Sequence, residues 1–295
     1  MNWSWPNIKI PFALKTAIKI GISALIIFLV LKKVDPSLLW KSMKEIHPAW
    51  LLWLAAWFVF SKYLSALRLN RIFHAGDIPL PARDNLRLYW LCMYYNLLLP
   101  GGISGDGYKI KVLMQRFGAS FRQLLGYTLL DRISGAVALL QLALLLLPWS
   151  LGDSDFIIPA MLALGLSVLM SWAPFKWFGG KLAAVWVPSG AYSLGVQAAQ
   201  MLSVLGLVFA LGQEDHWAGY LILFLLSSLA AMVPVTIGGA GARELSFLYG
   251  APFLQINPEY AVAIGFLFYL VSTAVSLTGV IWSFKKDPTK EMHLE

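Results

Sequence analysis

Two glycine-rich stretches hold the residues best placed to do chemistry in this sequence. The first is Pro100-Gly101-Gly102-Ile103-Ser104-Gly105-Asp106-Gly107-Tyr108-Lys109. The second is Pro234-Val235-Thr236-Ile237-Gly238-Gly239-Ala240-Gly241-Ala242-Arg243, followed by Glu244. Aligned on their prolines, both read P-x-x-I-x-G-x-G-x-[K/R]. Proline ends an incoming helix, and glycine lets the chain turn with positive φ and close backbone approach. A helix that starts just afterwards presents free N–H groups and its positive dipole end, a natural receptor for an anion such as a phosphate head group.

A third feature is Asp131-Arg132, which lies about nine residues into an apolar run, roughly 13 Å deep at 1.5 Å per residue. An ionised side chain at that depth costs about 2.5–3.5 kcal/mol on insertion scales, so each needs a partner or water. Adjacent helical residues do not face one another, so the two should reach different partners, with Asp106, Lys109, Arg243 and Glu244 as candidates. We expect Lys109, Arg132 and Arg243 to hold a phosphate. Asp106, Asp131 and Glu244 then position those cations or carry a proton. Asn96 and the glycines Gly101, Gly102, Gly105, Gly238, Gly239 and Gly241 complete the candidate binding set. Asp106 and Glu244 equally suit simple capping of a helix start, and Asn96 equally suits a hydrogen bond to a neighbouring helix.

The elements that carry these residues follow from composition. Of 295 residues, 59% are apolar and 13% charged, about half the charge of a typical soluble domain. The mean hydropathy is +0.69. A water-soluble globule of this size cannot hide so much apolar surface, which excludes a cytosolic enzyme or a secreted domain. The apolar runs are long and do not alternate, so the predicted fold is an all-α integral membrane protein. Full spans are expected at 17–31, 48–69, 123–147, 156–175, 191–211 and 259–283. The stretches 88–121 and 218–258 each start apolar, reach a Pro-Gly cluster and continue as a short amphipathic segment. We read them as re-entrant hairpins that enter and leave on one side.

The chain then divides near residue 150. Residues 1–150 and 151–295 each read span, span, hairpin, span, with opposite orientation: an inverted repeat, the arrangement that places transporter sites at interrupted helices. The net charge is +8. With both termini cytoplasmic, most lysines and arginines fall inside, including Arg68, Arg71, Arg83 and Arg87. The Lys32–Lys44 loop is discordant. The Arg68 to Arg87 cluster is expected to mark the cytoplasmic face and touch anionic head groups. Lys62 is expected to snorkel toward the same surface. Tyr127, Gln197 and Gln200 read as polar contacts between helices, and the small residues of 191–211 as a close packing face. Lone Cys92 sits in an apolar run without a disulfide partner, and the four histidines show no ligand spacing, so no metal or other cofactor is expected.

At these residues the chain resembles the transmembrane, flippase-like region of lysylphosphatidylglycerol synthase, which also occurs as stand-alone proteins. The resemblance rests on Asn96-x3-Pro100-Gly101-Gly102-x2-Gly105-Asp106, on Asp131-Arg132 with Gly135, and on Pro234-x3-Gly238-Gly239-x-Gly241-x-Arg243-Glu244. It covers about residues 15–285. The acid before Arg132 is often Glu in that family and is Asp131 here. The resemblance implies a plasma-membrane lipid translocase built from re-entrant helices, moving anionic or aminoacylated lipids between leaflets. About ten residues follow the last expected span, so no aminoacyl-transferase domain is expected and the chain should not make lysyl-lipid.

Relatives linked to hopanoids or polyprenyl-phosphate sugars widen the substrate class. Membrane lipids are the expected partners and nucleic acid is not. Self-association as a homodimer, and a separate lipid-modifying synthase, stay open. The rival reading is an integral-membrane enzyme or accessory subunit acting on lipid-linked phosphates. Against an enzyme stand the lack of a histidine near the glycine tips and of a carboxylate-rich Mg²⁺ motif.

Overall fold

The computed structural model describes residues 46–98, 104–152, 154–232 and 242–284, with Phe28, Trp40 and Lys44. The expected span at 17–31, Phe28 apart, and the tip residues Gly101, Gly102, Gly238, Gly239 and Gly241 therefore lie outside the described residues. Within them, every regular element is helical. In chain order the α-helices are α1 Pro48–Ala75, α2 Ala82–Leu98, α3 Ser104–Phe117, α4 Phe121–Leu151, α5 Ile157–Phe178, α6 Gly180–Ala184, α7 Trp186–Ala210, α8 Trp217–Ala231, α9 Ala242–Gly250 and α10 Pro258–Leu277. A final 3₁₀ turn, Thr278–Trp282, continues α10.

Five segments are long and apolar enough to cross a bilayer: Pro48–Ala75, Phe121–Leu151, Ser154–Phe178, Trp186–Ala210 and Pro258–Trp282. They overlap the five spans expected from 48 onward, most of their ends lying further out. The ends are set by local chemistry rather than by hydropathy. Pro48 opens α1 behind His47, whose ring nitrogen accepts from the Ala49 N–H. Ser120 caps α4 by accepting from Gln123 N–H, and Gly152 at φ 63° closes it. Asn257 accepts from the N–H groups of Glu259 and Tyr260 at the start of α10. Such caps satisfy amide groups that the first helical turn leaves orphaned.

The most extensive helix contact is α1 against α7. Ser189, Ser193, Ala199, Ser203 and Gly206 are among the residues that α7 buries, so the small-residue face read from sequence does pack closely. A side chain at Gly206 would sit 2.4 Å from the Trp53 ring, whose indole N–H donates to the Leu202 carbonyl at 2.8 Å. The remaining contacts come in corresponding sets. Helix α2 packs on α3 and α10, while α8 packs on α9 and α4. Helix α3 meets α4 and α9 meets α10; α7 meets α4 and α1 meets α10.

Two apolar cores result. One gathers Leu54, Phe58, Leu139, Leu207, Phe224, Phe247 and Ile264. The other gathers Leu69, Phe73, Leu80, Leu113, Leu124 and Leu130. Along both α1 and α4 the segment between the cores is polar: Lys62, Ser65 and Arg68 on the first, Asp131, Arg132 and Ser134 on the second. The functional candidates collect there.

Candidate functional site

A cavity of about 390 Å³ opens between the two cores. Every long helix except α5 contributes to its wall, together with α2, α3, α8 and α9. Among the described residues five cations line it, Lys62, Arg68, Lys109, Arg132 and Arg243, along with two carboxylates, Asp106 and Asp131. Polar amides and hydroxyls fill in between them, among them Asn96, Gln197, Gln200, Ser228 and Ser272.

Asp106, in the first turn of α3, is the hub of one side. Its Oδ1 accepts from Lys109 Nζ at 3.1 Å. Its Oδ2 accepts from Arg132 Nε at 2.9 Å and also from Arg132 Nη2. One carboxylate thus ties together two cations, one turn along its own helix and across to α4. Lys109 is 3% exposed, and its ammonium lies 5.2 Å from the Tyr89 ring centroid. Whatever Asp106 adds at the helix start, its carboxylate oxygens are committed to cations, which is more than capping.

This geometry depends on how closely α2 and α3 approach. The Gly105 N–H donates to Asn96 Oδ1 at 2.8 Å. A Cβ on Gly105 would lie 2.1 Å from the Cys92 carbonyl oxygen, so only glycine allows the contact. Asn96 therefore does both things left open by its sequence context: it lines the cavity and fastens a neighbouring helix.

Asp131 and Arg132 do reach different partners. Arg132 turns to Asp106, while Asp131 Oδ1 accepts from Arg68 Nε at 2.7 Å. Arg68 also donates through Nη1 to Ser193 Oγ at 2.8 Å, and Ser193 shares a 2.7 Å hydrogen bond with Ser134. This network joins α1, α4 and α7. It corrects the assignment of Arg68 to a head-group cluster on the cytoplasmic face: the residue is buried and belongs to the cavity. Arg71, three residues on, is exposed and stacks on Tyr192 at 5.3 Å.

Lys62 is likewise corrected. It does not snorkel outward but lines the cavity, with its ammonium 4.7 Å from the Phe58 ring centroid. The signal was present in the sequence. Phe58, Lys62, Ser65 and Arg68 follow one another at intervals of four, three and three, which places them on one face of a helix. Gln197 and Gln200 also line the cavity, and Gln197 Nε2 donates to the Gly135 carbonyl at 3.3 Å, so it serves as helix contact and cavity wall together.

On the opposite wall Arg243, in the first turn of α9, donates to Ser228 Oγ at 3.2 Å. Its guanidinium stands 4.7 Å from the Phe268 ring and 5.1 Å from Phe224. Glu244 beside it is buried but does not line the cavity. Of the thirteen candidate residues, Asn96, Asp106, Lys109, Asp131, Arg132 and Arg243 are thus brought to one cavity, and Gly105 supports it from the α2–α3 contact.

A basic cavity of this kind, buried among apolar helices, suits an anionic group that stays attached to a membrane. Comparison with known proteins agrees on the setting. A search of curated proteins found no match. The family model for the lysylphosphatidylglycerol synthase TM region matches residues 16–183 and 168–279, most of the chain. The chain therefore belongs to the lysylphosphatidylglycerol synthase transmembrane-region family, and it is a multi-pass membrane protein.

Proposed function

We propose that this protein moves an anionic or aminoacylated phospholipid, or a related lipid, between the leaflets of the plasma membrane, with its head group passing through the central cavity. The observation that carries the reading is the concentration of five cations on one cavity between apolar helices, where two of the described lining residues are acids. Intramembrane charges are expensive and mark pathways for polar cargo more often than packing. The family's name, that of a lipid-modifying synthase, supports a lipid cargo.

The paired contact sets support an internal repeat as the frame. Exchanging α1 with α7, α2 with α8, α3 with α9 and α4 with α10 turns each set into the other. In the proposed arrangement the two halves run oppositely through the membrane, with six spans, both termini cytoplasmic and the arms α2–α3 and α8–α9 as re-entrant hairpins. The head group meets the starts of α3 and α9, where the positive ends of the helix dipoles favour an anion. The protein itself performs no bond-breaking step in this scheme.

The test is leaflet exchange in liposomes holding the purified protein, with labelled phosphatidylglycerol, lysyl-phosphatidylglycerol and undecaprenyl phosphate offered separately. Exchange of at least one of them above protein-free liposomes is expected. The absence of exchange for all three refutes translocation, and release of phosphate from any of them establishes the enzyme reading instead.

A further inference from the structure

The five cavity cations are not equivalent. Arg68 is paired with Asp131, and Lys109 and Arg132 share Asp106. Among the described residues Lys62 and Arg243 form no ion pair, although the neighbouring Glu244 carboxylate acts on Arg243 electrostatically, and both cations line the same cavity. Besides the Arg243 hydrogen bond to Ser228 Oγ, the groups packed against them are aromatic. Lys62 sits over Phe58, Phe58 meets Phe268 edge to face at 5.6 Å, and Phe268 meets Phe224 at 4.8 Å. Arg243 lies over both Phe268 and Phe224. Two like charges are thus mounted on one continuous aromatic platform facing a cavity.

Cation–π contacts contribute about 0.5–2 kcal/mol each and do not themselves use the N–H donors; of these, Arg243 Nη1 is given to Ser228 Oγ. The two carboxylates of the wall are already occupied by three other cations. The sequence of residues 99–103 and 233–241 contains no ionisable side chain.

Resting on the translocation reading, we propose that Lys62 and Arg243 form the phosphate-receiving position, and that the cargo is a lipid whose phosphate carries net negative charge and whose head group has no fixed cation. Among the described residues, the cavity lining holds three more positive charges than negative ones, and two more when Glu244 is counted. A lysyl head group would bring further positive charge to a wall whose acids are committed. An anionic phosphodiester or phosphomonoester instead completes it, accepting from the Lys62 ammonium and the Arg243 guanidinium in charge-assisted hydrogen bonds.

The experiment measures binding of short-chain phosphatidylglycerol and short-chain lysyl-phosphatidylglycerol to the purified full chain in neutral detergent. It is run beside the liposome exchange assay. Wild-type protein should bind phosphatidylglycerol at least about tenfold more tightly, and Lys62→Gln and Arg243→Gln should each weaken that binding about ten- to a hundredfold. Lys62→Arg and Arg243→Lys keep the charge and should retain most of it.

Equal or tighter binding of the lysyl lipid, or no binding of either, overturns the proposal without recourse to any variant. So does wild-type affinity in both Gln variants. If the protein binds phosphatidylglycerol selectively but exchanges no lipid, the site stands and translocation falls. If it exchanges lysyl-phosphatidylglycerol in preference, translocation stands and the site assignment falls.

Discussion

Replacing Asp106 by Asn removes the negative charge while keeping the shape, and it takes a carboxylate from two cations at once. At the 3.1 Å separation from Lys109, the gross attraction at an effective dielectric constant of 20 is about 5 kcal/mol. Much of that offsets the desolvation of the two groups, so the relevant quantity is the penalty for leaving a buried partner alone, about 3–5 kcal/mol for fully buried pairs. Lys109 is 3% exposed and bears that penalty, whereas the Arg132 side chain is 29% exposed and can be hydrated by cavity water. We expect Asp106→Asn to destabilise the protein by about 3 kcal/mol, mainly through Lys109. For a chain of this size that corresponds to a fall of roughly 6–12 °C in unfolding temperature.

The partner variant separates this cause from general damage. Lys109→Met deletes the stranded charge at similar length, so Asp106→Asn/Lys109→Met should recover at least about 1 kcal/mol relative to additivity. Thermal unfolding of the detergent-solubilised protein, followed by tryptophan fluorescence, reads both numbers. An Asp106→Asn protein as stable as wild type, or strictly additive losses in the double variant, would refute the hub geometry.

Three further outcomes follow from the packing. Gly105→Ala should destabilise α2–α3 by several kcal/mol because its Cβ meets backbone at 2.1 Å, whereas Gly107→Ala has nothing within 4 Å and should leave the unfolding temperature unchanged or raise it slightly. Arg68→Gln should cost about 3 kcal/mol by leaving Asp131 stranded, and Arg71→Gln at the exposed neighbouring position less than about 0.5 kcal/mol; paired thermal melts distinguish them. Asn257→Ala removes the cap of α10 and should lower stability by about 1 kcal/mol, with Asn257→Ser restoring most of it in the same assay.

The spans from residue 48 onward were legible because long apolar runs without alternation have few alternatives. Their ends were not, since those depend on single bonds. Helix α1 continues to Ala75 through a polar stretch because Arg68 and Asn70 satisfy themselves inward, the latter donating to the Leu80 carbonyl at 2.7 Å. The short helix α6 carries no periodic signal at all. In the site, the embedded Asp131-Arg132 pair announced itself by its cost, and Asp106 lay in a marked motif.

Arg68 and Lys62 were hidden by a different logic. Counting basic residues to orient a membrane protein treats each as a surface marker, and that count is blind to the helical face a residue occupies. Their three- and four-residue spacing carried the missing information. The role of Gly105 could not be read, because the Cys92 carbonyl that excludes a side chain there belongs to another helix.

The seam between α1 and α7 bears on how the molecule could open. Serines and Gly206 let the two backbones lie close, Trp53 fastens one to the other, and Arg68 links both to α4. Prying these helices apart would strip a hydrogen-bonded indole and a buried guanidinium of their partners at once. In the proposed translocation the seam would serve as the stationary spine, and admitting a head group would fall to the shorter arms that lean on α4 and α10.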